Sequence, residues 1–142
     1  MLKKELKDNI QILENVSDWE EAIKIASKPL LEKKKIEERY IQAMIDNIKE
    51  MGPYIVLMPR VAMPHSRPQH GVLESCMALL KLNKGVSFSS KKEDVNLVFI
   101  LGAKDSNSHV DLLVQLSDLL EEEENVNNMI KAKSVDEIFS LI

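Results

Sequence analysis

The sequence predicts an α/β fold, a single sandwich with a central mixed sheet of four to five strands flanked by helices. Three observations carry this. Apolar residues recur at helical spacing over residues 1–51 and again over 108–142. Between them lie short apolar runs of strand length, at 54–58, 61–63, 76–82 and 95–101. The last run, Val95-Asn96-Leu97-Val98-Phe99-Ile100-Leu101, is nearly all apolar. A strand of that kind is covered on both faces, which puts it in the middle of a sheet with helices on either side.

The elements follow in order. Leu2, Leu6, Ile10 and Leu13 share one helical face. Ser17-Asp18-Trp19-Glu20 has the form of a capping box, with Ser17 capping a helix that carries Trp19, Ala22, Ile23 and Ala26. Pro29 is expected to kink or end that helix near Lys28, because proline removes a helix hydrogen bond. Lys33, Lys34 and Lys35 read as a solvated helix end, since Glu37 and Glu38 follow. A third helix spans 37–51, with Tyr40, Ile41, Met44, Ile45 and Ile48 on one face, Gly52 as its C′ residue and Pro53 as a stop. The run 54–58 reads as a buried strand, and Gly85-Val86-Ser87-Phe88 as a short edge piece. Ser108 is placed to cap a helix burying Leu112, Leu113, Leu116, Leu119 and Leu120, with Asp111 completing a box-like pair. Residues 121–124 form an acidic, solvated helix end, and 126–131 and 135–141 two closing helices. There are no repeats, linkers or low-complexity tracts, so residues 1–142 are expected to form one domain.

Composition narrows the function classes. A chain of 142 residues buries roughly 70% of its unfolded surface. Aromatic residues make up only 4%, so aliphatic side chains and the seven methionines must fill the core. The net charge of -4 and pI near 5.4 argue against a nucleic-acid partner, whose binding face is normally basic. The single cysteine, Cys76, excludes an internal disulfide, fits a reducing cytoplasm and reads as core. No apolar run approaches the ~20 residues of a membrane span, and the N-terminal residues do not read as a secretory signal. The expected location is the cytoplasm, with docking on a membrane partner left open.

The chemistry gathers at three histidines, His65, His70 and His109. His65 sits in Met63-Pro64-His65-Ser66-Arg67-Pro68. Each proline fixes its own φ and biases the preceding residue away from helix, so the backbone is extended and stiff. His109 follows the 95–101 strand at a helix start, where unpaired N–H groups and the helix dipole attract anions. Ligand sites in α/β sheets gather beyond strand ends, which allows the two imidazoles to share a pocket. Two imidazoles beside a helix N-terminus suit phosphoryl handling: one nitrogen attacks phosphorus while neighbouring donors neutralise the oxygens. Arg67 can supply a bidentate fork. Each residue also has a plainer reading: His65 as a loop residue, His109 as a helix start, Arg67 as a surface charge. His70, between Gln69 and Gly71, is expected to be exposed in a turn. A zinc site from the three histidines is conceivable, but no metal-ligand spacing supports one. No Gly-rich nucleotide loop and no Gly-x-Ser-x-Gly elbow occur.

Two blocks resemble a known family. Gly52-Pro53-Tyr54-Ile55-Val56 followed by Ala62-Met63-Pro64-His65-Ser66-Arg67-Pro68, and then residues 101–109 with a Leu-rich helix behind them, are similar to the EIIA components of the bacterial phosphoenolpyruvate-dependent sugar phosphotransferase system. The match is to the mannitol/fructose-type superfamily, closest to its ascorbate-type branch. Trp19-Glu20-Glu21-Ala22 and Lys28-Pro29-Leu30-Leu31 extend it towards the N-terminus. The resemblance implies an α/β sandwich in which His65 accepts a phosphoryl group from phospho-HPr and passes it to a cysteine of a cognate EIIB. It implies His109 as the supporting residue, and no metal, nucleotide or other cofactor. Arg67 and Ser108 are the candidate phosphate-binding groups. The membrane component EIIC is then an indirect partner, and a homo-oligomer is left open. A rim of Met58, Val61 and Met63 is a candidate docking surface. Two departures stand near the motif: His70 where an acidic residue is expected, and Arg60 where a small one is common. The competing readings are a regulatory module of the same fold and, more remotely, a metal-dependent hydrolase.

Overall fold

The layering is decided by alternation in two long strands. In the computed structural model, which describes residues 2–89, 94–105, 107 and 109–142, strand β4 (Cys76–Val86) pairs antiparallel with β5 (Val95–Gly102). Successive side chains point to opposite faces. Cys76, Ala78, Leu80 and Leu82 of β4 join Val98 and Ile100 of β5 in one core; Met77 and Leu79 join Leu97, Phe99 and Leu101 in the other. Every residue of β5 is buried, as a strand covered on both sides requires.

The first core is roofed by two helices, α2 (Trp19–Glu32) and α3 (Glu38–Met51), whose buried stripes are Ala22, Ile23, Ala26 and Leu30, and Tyr40, Ile41, Met44, Ile45 and Ile48. The second core is roofed by α1 (Leu2–Leu6), α4 (Val110–Glu121), α5 (Glu123–Lys131) and α6 (Val135–Ser140). Three shorter strands complete a five-stranded mixed sheet: β1 (Ile10–Leu13), β2 (Val56–Met58) and β3 (Val61–Ala62), in the order β1-β4-β5-β3-β2. β1 is parallel to β4 and β3 is parallel to β5, so β5 is the central strand and β3 ends beside it. Lys81 of β4 faces the second core, where its ammonium donates to the Ala132 carbonyl at 2.6 Å and to Asn83 Oδ1. Burial pulls this lysine below its ordinary pKa.

Several elements depart from the sequence reading, most of them for a tertiary reason. Ile10 and Leu13 are not helical. Asp8 takes a φ of 64°, which ends α1, and Ile10–Leu13 pairs with β4 in the register Ile10 to Leu79. The N-cap of α2 is Asp18, one residue later than expected: its carboxylate accepts from the Glu21 N–H at 2.8 Å, and Glu21 reaches back to the Ser17 N–H at 2.9 Å. Pro29 neither ends nor breaks α2. It orphans the Ile25 carbonyl four residues earlier, and the Gln11 side-chain amide from β1 donates to that carbonyl at 2.7 Å. The 54–58 run is not a buried strand: β2 is the sheet edge, and Leu57 is 46% exposed. Gly85 and Val86 form no separate piece but extend β4, while Phe88 packs on Trp19 at 5.9 Å between ring centroids. Helix α4 is preceded by His109; Ser108, expected to cap it, lies outside the described residues. The acidic stretch 121–124 is exposed at the α4–α5 junction, and Cys76 is buried in the core as expected.

Candidate functional site

The site begins where β3 stops. The Met63 N–H donates to the Ile55 carbonyl at 2.8 Å, and the Leu101 N–H donates to the Pro64 carbonyl at 3.2 Å, so the segment continues alongside β5. His65 comes next, half-buried, with Nδ1 2.8 Å from the Met63 carbonyl oxygen. A carbonyl only accepts, so in the neutral ring Nδ1 carries the hydrogen and Nε2 carries the free lone pair. The Tyr54 ring meets this imidazole edge-on, 5.9 Å between centroids at 80°.

Ser66 is fixed from α3. Its N–H donates to the Tyr40 hydroxyl at 2.9 Å, and Tyr40 donates to the Leu101 carbonyl at 2.6 Å. Tyr40 is fully buried, and that burial pushes its phenol well above the ordinary tyrosine range, so it stays protonated and ties the His65 segment to the end of β5. The Asn47 amide donates to Ser66 Oγ at 2.9 Å, and His70 Nδ1 lies 2.6 Å from the same oxygen. His70 is therefore half-buried and bonded rather than exposed. A 3-10 turn, Pro68–His70, leads into Gly71, whose φ of 132° and close approach to Tyr40 (3.1 Å from an added Cβ) admit little but glycine.

The second wall comes from the chain leaving β5. Gly102 lies against Cys76, whose sulfur would sit 2.9 Å from an added Cβ. The Lys104 N–H donates to Ser75 Oγ, and the Asn107 N–H to Asp105 Oδ1, both at 2.9 Å. His109 follows, with Nδ1 3.1 Å from the Asp105 carbonyl oxygen. The same logic applies: Nδ1 donates and Nε2 is free.

His65, Arg67 and His109 line one cleft of about 360 Å³, together with Ser66, Tyr54 and Asp105. The structure thus brings together three of the four sequence-predicted residues; Ser108 lies outside the described residues. Arg60 is not among them. It occupies the β2–β3 turn with a φ of 74° and lines a separate hollow with Met58, Leu120 and Glu121. Met58 and Met63 do line an apolar groove of about 460 Å³ against Leu113 and Leu116 of α4, but Val61 is core. Among the described residues, no three His, Cys, Asp or Glu side chains form a metal-ligand group. Sequence reasoning missed Tyr40, Asn47 and Tyr54. Asn47, a polar residue seven positions after Tyr40 on a largely apolar face, was the available signal.

One imidazole with a free Nε2 lone pair can attack a phosphoryl group, while the guanidinium, and the second imidazole when protonated, can neutralise its oxygens. This α/β sandwich, with its two imidazoles beyond the ends of β3 and β5, is the architecture of an EIIA protein. The chain belongs to the family described as phosphoenolpyruvate-dependent sugar phosphotransferase system, EIIA 2, whose model matches residues 5–142. It is 39% identical to the mannitol-specific cryptic phosphotransferase enzyme IIA component of Escherichia coli K12, over 96% of this chain and 92% of that one. It is 33% identical to the ascorbate-specific PTS system EIIA component of the same strain, over 99% and 94%. The solution structure of the Escherichia coli mannitol-specific cryptic enzyme IIA superposes with a TM-score of 0.92 at 38% identity, covering 99% of this chain and 96% of that one. A solved complex of Escherichia coli enzyme IIAMTL with phosphorylated enzyme IIBMTL matches with a TM-score of 0.81 at 26% identity, covering 94% and 93%. The protein is thus a phosphotransferase component of a sugar-uptake system. Among the described residues, no helix is long and apolar enough to cross a membrane.

Proposed function

We propose that His65 is the phosphoryl carrier of this protein, and that residues 1–142 act as one cytoplasmic EIIA unit. Nε2 of His65 attacks the phosphorus of phospho-HPr; the donor N–P bond breaks as the new one forms, and HPr leaves. A cysteine thiolate of a cognate EIIB then attacks the same phosphorus and returns His65 to its neutral form. EIIC is reached only through EIIB. The observation that carries this is the hydrogen bond from His65 Nδ1 to the Met63 carbonyl, which leaves Nε2 as the nucleophile in the cleft shared with His109. His109 supports the transfer: its Nδ1 is held by the Asp105 carbonyl, and when Nε2 also carries a hydrogen that N–H donates to the phosphoryl oxygens. Arg67 and Ser108 are the proposed phosphate-binding groups. No cofactor is needed: the incoming N–P bond supplies the energy, and the protein supplies position and charge. An EIIB partner is supported by the related complex with phosphorylated enzyme IIBMTL. An ascorbate-type substrate is the finer reading, supported by the relative of that name.

The test is phosphoryl transfer from labelled phosphoenolpyruvate through enzyme I and HPr. Acid-labile, base-stable label is expected on the wild type and none on His65→Ala. Full labelling of His65→Ala overturns the assignment.

A further inference from the structure

Ser66 has one hydroxyl hydrogen and room to accept two hydrogen bonds. The Asn47 amide, at 2.9 Å, takes one acceptor position. The contact to His70 Nδ1, at 2.6 Å, has two readings that differ by where one hydrogen lies. If His70 is neutral with its hydrogen on Nε2, Nδ1 accepts and the Ser66 hydrogen is spent on it. If Nδ1 carries a hydrogen, always so in the imidazolium and in one neutral tautomer, Nδ1 donates, both acceptor positions of Oγ are filled by protein donors, and the hydroxyl hydrogen is free. Ser66 lines the cleft beside His65, so a free hydrogen has the cleft to point into. A phosphoryl group on His65 brings oxygens that only accept, and two negative charges.

We infer that His70 is a positioning residue which, through Ser66, sets whether the Ser66 hydroxyl donates to the phosphoryl group on His65. Phosphorylation and protonation of His70 are then linked, each favouring the other. This rests on the phosphocarrier reading of His65 and adds a regulator of that site. The charged and titratable groups around the pair are Arg67 in the same segment, Tyr40 and Arg39 on α3, Glu37 beside Arg39, and Tyr54, His65, Asp105 and His109 around the cleft. Arg39 is held by the Gln69 carbonyl at 3.0 Å and by Glu37. All of these stay in place in the variants below, so differences between them isolate His70 and Ser66.

The experiment follows His70 by proton–nitrogen NMR through pH 5–8, before and after phosphorylation, with wild type, His70→Asn, Ser66→Ala and the double variant. Asparagine keeps a polar group near the Nδ1 position and does not titrate. The His70 midpoint is expected to rise by about half a pH unit or more on phosphorylation in wild type, and to rise less in Ser66→Ala. The ratio of wild-type to His70→Asn labelling rates is expected to grow about threefold from pH 7.5 to 5.5, as the imidazolium frees the hydroxyl. The double variant is expected to match Ser66→Ala, because His70 acts through the hydroxyl. A His70 midpoint that does not move on phosphorylation, or effects of the two substitutions that simply add, overturns the inference while leaving His65 as carrier. A wild type that takes no label overturns the carrier reading and this inference with it.

Discussion

Residues 63–71 and residues 103–110 each bring one imidazole to the same cleft, and they are held in opposite ways. In the first, His65 bonds back to Met63, but the segment around it is pinned from a distance: Tyr40 and Asn47 of α3 hold Ser66, and Leu101 of β5 holds Pro64. In the second, the bonds among the described residues are mostly internal. Asp105 supplies both the carbonyl for His109 Nδ1 and the carboxylate for the Asn107 N–H, and Lys104 reaches out to Ser75. The proposed nucleophile is thus fixed by tertiary bonds and two prolines, the supporting residue by a local turn at a helix start. In the proposed carrier role, a group that meets two successive partners in one geometry gains most from the stiffer mounting, since transfer rate depends on position.

That contrast can be broken. The largest effect after loss of His65 is expected from His109→Ala, which should slow phosphoryl transfer about a hundredfold while label still accumulates on His65. A loss as complete as that of His65→Ala would place the two residues on an equal footing. Tyr40→Phe comes next. It removes the donor to Leu101 and the acceptor of the Ser66 N–H, both buried or nearly so. About 2 kcal/mol of stability should go, read from urea unfolding, with amide exchange rising in 63–71 and little changed in 103–110. Equal loosening of both segments would show that His109 is mounted through Tyr40 as well.

The smallest effect concerns the floor that the two segments share. Cys76 lies under Gly102, and burial pushes its thiol up from 9.0 to about 12. An acid whose pKa is raised by folding contributes stability that is complete below its unfolded pKa and is lost as pH rises above it. Between pH 9 and 10, unfolding free energy should fall by about 1 kcal/mol from this thiol, and the Cys76→Ala variant should show a shallower decline. Equal slopes in the two proteins would mean that the thiol titrates alike folded and unfolded.

Much of this was legible along the chain, because it depends on neighbours in sequence. The seven-residue apolar run of β5 had to be covered on both faces. The stripe from Tyr40 to Ile48 had to face a core. The prolines stiffened the chain at His65, and a strand end followed by a helix start put His109 in anion-binding surroundings. What misled was spacing too short to decide. Leu2, Leu6, Ile10 and Leu13 fit a helix, yet a left-handed Asp8 and the free edge of β4 made the second pair a strand. His70 looked exposed because Gln69 and Gly71 signal a turn, and nothing nearby announced Ser66 as its partner.

The sequence by itself therefore determined the buried stripes of the longer helices and of β5, which segments are helical over several turns, and that two imidazoles stand beyond strand ends. Periodicity and proline geometry act through the chain's own covalent neighbourhood, so they can be read there. Only the tertiary structure decided that His65 and His109 meet, that Gln11 satisfies the carbonyl Pro29 leaves free, and that Tyr40 and Asn47 hold Ser66. The last two rest on single hydrogen bonds across 14 to 26 residues of chain, and the first on the cleft the two segments share. Each depends on distance and direction after folding, and no local pattern encodes that.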